Sequence, residues 1–232
     1  MKFNCAILVC LLSGTSLFAD MTVVQTLKSD LMPDAKTDST LTMTVKGQKA
    51  RIDLPGSQMS SIIDAKAGKM YTLMHKEKQV MVLSIEDLKK SAAMAAQPGQ
   101  DKAKTAIRKT GQSKTIRGYK CAEYDFSGGG ANPPMVKCWI TEDVDDSEME
   151  VVRSFGGQMG GMLGFNDVQK PKGMVIRSES KMNINGREVT SASEVQSIKR
   201  DPVADSIFVL PADYTVLELP AFNPQAKPAA AK

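Results

Sequence analysis

The chain has 232 residues, 42% of them hydrophobic and 5% aromatic, with 30 lysines and arginines against 26 aspartates and glutamates for a formal charge of +4. That balance supports solubility and selects no partner, and the scarcity of aromatics argues against a nucleic-acid stacking platform. A single histidine leaves little acid–base chemistry. No nucleophile elbow, paired-cysteine redox motif or metal-ligand cluster occurs, so no catalytic residue, metal or cofactor is expected.

The N-terminus reads as an export signal. Met1-Lys2 is a short basic start, Cys5–Leu12 an apolar core too short to anchor in a bilayer, and Ser13–Ala19 a region that places cleavage after Ala19. Val9 is too large to precede a lipid-modified cysteine, so Cys5 and Cys10 leave with the signal at 1–19. A single domain is expected over 20–220, followed by a disordered Pro/Ala/Lys tail at 221–232. No second membrane-length apolar run follows, so the product is expected in the periplasm or secreted.

Strands then succeed one another. Met21–Lys28 is the first, and Ser39–Lys46 and Lys49–Leu54 flank a Gly47-Gln48 turn, pairing Val45 with Ala50, Met43 with Ile52 and Leu41 with Leu54 on a dry face. Met59–Asp64, Lys69–His75 and Gln79–Leu83 follow, with Met74 expected opposite Met81 and Leu73 opposite Val82. Both faces are apolar here, which suggests the middle of the sheet. His75, at a strand end, reads as a surface or hydrogen-bonded residue.

Ser84 caps a predicted helix whose apolar stripe is Ile85, Leu88, Ala92 and Ala95. Residues 97–106 read as a linker, and Ile107–Ser113 resumes the sheet. The basic run from Lys102 to Lys120 reads as a solvated face; contact with anionic lipid heads is its other reading. Tyr119–Phe126 and Met135–Thr141 form a hairpin across a Gly/Asn/Pro loop. A register with Cys121 opposite Cys138 satisfies most of its apolar side chains. A Cys121–Cys138 disulfide is then geometrically open and, in an oxidising compartment, expected over a reduced buried pair, stabilising the fold by about 3 kcal/mol in the chain-entropy model.

The acidic cluster Glu142–Glu150 lacks the spacing of a calcium loop and reads as a helix N-terminus, with Met149, Val152 and Phe155 on one side. Gly156–Phe165, with five glycines, is a poor helix; it reads as a core-filling loop or as a movable flap carrying Met159, Met162 and Leu163. A copper(I) site at Met159 and Met162 lacks a nearby cysteine or histidine. Asn185-Gly186 then sets a long hairpin with Ile184/Arg187, Met182/Val189, Ser180/Ser191, Ser178/Ser193 and Ile176/Val195 inside and charged pairs outside. Four inner serines are too small to fill a core, which suggests a hollow, a close-approaching helix or a wet sheet end.

Thr110-Gly111, Ile116-Arg117-Gly118-Tyr119-Lys120-Cys121, Tyr124, Cys138-Trp139-Ile140-Thr141 and Asp205–Tyr214, in this order after a signal, resemble a secreted bacterial family, the domain of unknown function numbered 4412. That family looks like the periplasmic lipoprotein-carrier fold. The resemblance implies a mainly β fold with α (α+β): a strongly curved antiparallel half-barrel whose concave apolar face is covered by short helices. The residue pattern points the same way. It leads to a non-enzymatic envelope protein that holds a lipid, acyl chain or other apolar ligand between sheet and helical cover, against Leu41, Met43, Ile52, Ile176, Met182 and Val189 with Met159, Met162 and Leu163 as flap. The alternative is an interaction or structural module with a self-filled core and an envelope protein as partner.

Overall fold

The computed structural model describes residues 20–30, 39–54, 56, 59–84, 86–87, 106–127, 135–144, 150–152, 171–184 and 187–218. The expected signal, tail and Gly156–Phe165 segment lie outside them, as does the expected linker apart from Ala106, which is the first residue of a strand.

Twelve strands form one open sheet: β1 (Met21–Ser29), β2 (Ser39–Lys46), β3 (Lys49–Leu54), β4 (Met59–Asp64), β5 (Lys69–Met74), β6 (Gln79–Ser84), β7 (Ala106–Ile116), β8 (Tyr119–Ser127), β9 (Met135–Thr141), β10 (Met174–Ile184), β11 (Arg187–Lys199) and β12 (Thr215–Glu218). Their order is β12-β6-β5-β4-β3-β2-β1-β11-β10-β9-β8-β7, so β1 joins the two halves. All neighbours are antiparallel except β12, which runs parallel to β6. Register shifts at Val24/Gln25, Val175/Arg177 and Lys109/Ser113 mark bulges, which bend a strand and raise its twist.

The α+β expectation is corrected. Among the described residues the architecture is all β, with one 3-10 turn at Asp205–Phe208 and helical backbone only at Glu86-Asp87 and Glu150–Val152. The rest of both predicted helices lies outside the described residues. The cover seen on a sheet face is irregular chain near the C-terminus. Val203, Ile207, Phe208, Leu210 and Tyr214 pack on Ile62, Leu73 and Val80. Pro202 and Pro211 flank its 3-10 turn, and Pro211 cannot be carried inside a helix continuing from it. Its presence explains why β4 to β6 are apolar on both faces while lying near one end of the sheet. The middle is β1 and β2.

The opposite face holds the larger core. Met21, Val45, Ala50, Ile63 and Met70 follow one another in register across β1 to β5. They join Trp139, Ile176, Val195 and Val151 in one cluster. Full burial of each valine, isoleucine or methionine among them contributes roughly 1.5–3 kcal/mol.

Short turns give the expected pairings. Val45 meets Ala50 and Met43 meets Ile52. The Asn185-Gly186 hairpin pairs as its sequence requires from Arg177/Glu194 to Ile184/Arg187. Longer connections do not. Leu73 faces Val80 and Met81 faces Thr72, because the β5–β6 turn takes four residues, His75–Lys78. Lys78 adopts a left-handed φ of 51° there.

The cysteine hairpin is displaced by three. Cys121 faces Thr141, and Cys138 faces Tyr124. An odd displacement turns the two thiols to opposite faces, so the expected disulfide is excluded by register. Both cysteines are free and buried. Burial pushes the Cys138 thiol up to about 12 from the ordinary 9.0.

In unfolded protein Cys138 ionises near its ordinary value, whereas in the fold it stays neutral. Stability is therefore fully present below about pH 9 and falls as pH rises from there toward 12. Urea midpoints across that range should show the fall, Cys138→Ala should make it shallower while leaving the part owed to Cys121, whose thiol burial also pushes up, and reductant should leave the melting temperature unchanged. Gly173 has a φ of +104°, and a Cβ there would lie 2.0 Å from the Thr141 carbonyl oxygen. Backbone confronts backbone, so Gly173→Ala should cost about 2 kcal/mol or more in urea unfolding.

Candidate functional site

Alternation along β2 to β6 carries the apolar face beyond the packed core. One register row runs Val23, Met43, Ile52, Ser61, Thr72, Met81 and Leu217; the next includes Leu54, Met59 and Met74. Met43, Ile52, Leu54, Met74 and Met81 are half-buried. Met59 is 43% and Leu217 39% exposed. Large apolar side chains are thus left partly open beside a dry core, an arrangement typical of a binding surface.

The predicted ligand residues divide. Leu41, Met43 and Ile52 lie on this half-open face. Ile176 and Val189 are 1% and 3% exposed, packed among the chain's own side chains. Met182 is half-buried opposite Val189. Met159, Met162 and Leu163 lie outside the described residues. Met59, Met74, Met81 and Leu217 were missed as site residues, although period-two alternation marks the first three. The inner serines pair with one another, Ser178 with Ser193 at 2.8 Å and Ser180 with Ser191 at 2.6 Å, so their hydroxyls are satisfied without a guest.

The other face carries a polar network where the strap meets β3 to β5. The Ser60 hydroxyl donates to Asp53 Oδ1 at 2.5 Å and lies 2.8 Å from His75 Nε2. His75 Nδ1 lies 2.8 Å from the Tyr214 hydroxyl. With its one proton on Asp53, Ser60 accepts from Nε2–H, and in the neutral tautomer that carries this proton Nδ1 accepts from Tyr214. Arg51 Nε donates to both Asp53 oxygens, at 2.9 and 3.0 Å, and an Arg51 terminal nitrogen donates to the Ile207 carbonyl at 2.8 Å. Ser60 is 4% exposed with its proton committed, so this pair lacks the free nucleophile of a hydrolase. His75 is the hydrogen-bonded residue its position suggested, and the network fastens the strap. Lys46 Nζ adds a 2.6 Å bond to the Val203 carbonyl, while Asp20 Oδ2 accepts from Val203 N–H at 2.7 Å.

A cleft of about 610 Å³ opens at the other end of the sheet, over β7 to β9. Its lining is Ser113, Lys114, Thr115, Lys120, Cys121, Ala122, Tyr124, Ile140, Glu142, Asp143 and Lys172, and includes none of the predicted ligand residues. The Lys114 ammonium stands 3.8 Å from the centre of the Trp139 ring. Among the described residues no group of acids, histidines and cysteines is placed to hold a metal ion, and no helix is long and apolar enough to cross a membrane.

The fold defines a class, the extended, almost wholly antiparallel sheet with one apolar face left partly open. Residues 26–214 match the model of the family described as Domain of unknown function (DUF4412), and the chain belongs to that family. Among solved structures, an uncharacterized conserved protein from Thermus thermophilus shares the fold at 9% identity and a TM-score of 0.50, with 88% of this chain and 92% of that one covered. PNGF-II matches at 12% identity and a TM-score of 0.44 over 87% of this chain, which spans 32% of its length. A LolA superfamily protein from Nitrosomonas europaea matches at 11% identity and a TM-score of 0.34, over 83% of this chain and 90% of the other. The sequence matches no curated protein.

The strap network sets its own test. Tyr214→Phe removes one hydrogen bond to a half-buried imidazole and should cost about 1 kcal/mol in urea unfolding. Asp53→Ala strips Ser60 and Arg51 of their acceptor together and should cost more than Tyr214→Phe does.

Proposed function

We propose that this chain is an exported, non-enzymatic envelope protein that holds an acyl chain or similar apolar ligand on the methionine-rich face of β2 to β6. The carrying observation is that face itself, with Met43, Ile52, Met74 and Met81 half-buried and Met59 and Leu217 open at its margin. Methionine side chains are unbranched and polarizable, so such a surface adapts to ligands of varied shape. Each methylene buried there adds about 0.8 kcal/mol, enough for a modest acyl chain to bind appreciably. Leu41 stands on the same face and extends it. Ile176 and Val189 brace the face from within the core, and Met182 flanks them.

One observation favours the alternative, a protein-interaction module with a self-filled core. Ile176 and Val189 are closed off by the chain's own side chains. Uptake of a fluorescent fatty acid by purified protein, with extraction of copurifying lipid, separates the two readings. Saturable uptake is expected, weakened at least about tenfold by Met59→Asp. That residue is exposed enough to take the charge without unfolding the sheet. Absence of uptake and of copurifying lipid would favour the module.

A further inference from the structure

Two polar residues interrupt the apolar row that crosses the methionine-rich face. Ser61 on β4 and Thr72 on β5 lie directly opposite each other, between Ile52 on one side and Met81 on the other. Along their own strands they alternate with Met59, Ile63, Met70 and Met74. The hydroxyl pair is therefore ringed by six apolar side chains. Thr72 is 7% exposed and Ser61 is half-buried.

Cross-strand hydroxyls in such a register can satisfy each other, as Ser178/Ser193 and Ser180/Ser191 do at 2.8 and 2.6 Å. Ser61 and Thr72 do not. Among the described residues neither hydroxyl has a hydrogen-bond partner. A buried hydroxyl left unpaired is unfavourable, and a face that needed only filling would be better served by alanine and valine here. The row is apolar on either side of the pair: Ile52 and Met43 continue it toward β2, and Met81 and Leu217 toward the sheet edge at β12. A chain laid along it meets apolar contacts, then two hydroxyls, then apolar contacts again.

We propose that the acyl ligand of this face carries an internal hydroxyl that sits over Ser61 and Thr72. The inference rests on the acyl reading above and gives it a chemical preference. A ligand hydroxyl can accept from one side chain and donate to the other, which serves both groups. A carboxylate head cannot take that place, because the surrounding methionines and isoleucines would strip a charge of its water. The head belongs at the open margin by Leu217, two strand spacings or roughly 10 Å from Thr72, so the hydroxyl lies well down the chain. Met74 and Met81 stand beside Thr72, half-buried and unbranched, and can swing aside to admit it.

Displacement of a fluorescent fatty acid from the purified protein tests this. 12-Hydroxystearic acid should displace the probe at least about fivefold more readily than stearic acid, whereas 2-hydroxystearic acid, whose hydroxyl adjoins the carboxylate, should gain no such advantage. A wholly apolar seat would favour stearic acid instead, since the extra hydroxyl would have to leave water unpaired. The Ser61→Ala/Thr72→Val double variant should reverse the order, with stearic acid then the better ligand. Its urea midpoint should not fall, because each substitution removes an unpaired hydroxyl without opening a large cavity. Equal displacement by stearic and 12-hydroxystearic acids, or a preference that survives in the double variant, overturns the proposal and leaves the acyl reading intact. Failure of the protein to take up the probe at all removes the acyl reading and this inference together.

Discussion

The structure depends on β1 being hydrogen-bonded along both of its edges. On one side it pairs with β2, from Met21 opposite Val45 to Leu27 opposite Ser39. On the other it pairs with β11, from Thr22 opposite Lys199 to Ser29 opposite Ser191. The second pairing joins residues some 168 positions apart, as in the Thr26 to Glu194 contact. Without it, the β2–β6 meander and the β7–β11 meander would be separate sheets, each with a raw edge. With it, Met21 and Val23 become 0% and 1% exposed and seed a core that runs from Met70 to Trp139.

One sheet with two apolar regions needs two covers. On the strap side the cover is part of the chain, and its attachment is mixed. Phe208 is buried, while Lys46, Asp20, Arg51 and His75 hold its backbone or its tyrosine. Directional bonds place the strap, and apolar burial supplies most of its adhesion. The other face is dry near β1 and opens toward Met59 and Leu217, where large apolar side chains meet solvent in part. One apolar face is thus closed by the chain's own strap and the other is left half open. Membership of the DUF4412 family and the shared fold of the Thermus protein agree with the architecture and add no chemistry of their own.

The charged groups follow the same division. On the outer face of the long hairpin, Arg177 is held by Glu179 at 2.6 Å and by Glu194 at 3.5 Å, and Arg117 shares Glu194. These exposed networks keep the face wetted and contribute little stability. The lysines of the cleft over β7 to β9 have no such partners among the described residues. Beside them Asp143 accepts the backbone N–H of Lys120 at 3.1 Å.

Much of this was legible in the residue order, and the boundary has a physical cause. The Gly47-Gln48 and Asn185-Gly186 turns are two residues long, so they admit one register, and Met43/Ile52 and Met182/Val189 could be read directly. The four-residue turn at His75–Lys78 left a slip of two, which kept each side chain on its face. The loop at 128–134 left a slip of three, which sent Cys121 and Cys138 to opposite faces and removed the disulfide. Helical spacing after Leu83 and Thr141 suggested an α cover, but spacing does not say which segment reaches a face first, and the proline-bracketed strap holds one of them.

By itself the sequence determined the strands, their wet and dry sides and the hairpins with tight turns, because these depend on alternation and on backbone conformations that a few residues dictate. Only the tertiary structure decided the seat of β1 between β2 and β11, the parallel β12, the Ser60–His75–Tyr214 fastening and the place of Lys172 in the cleft lined by β7 to β9. Each of those joins segments through connections too long to constrain where their ends go, so the choice falls to the summed fit of the whole sheet.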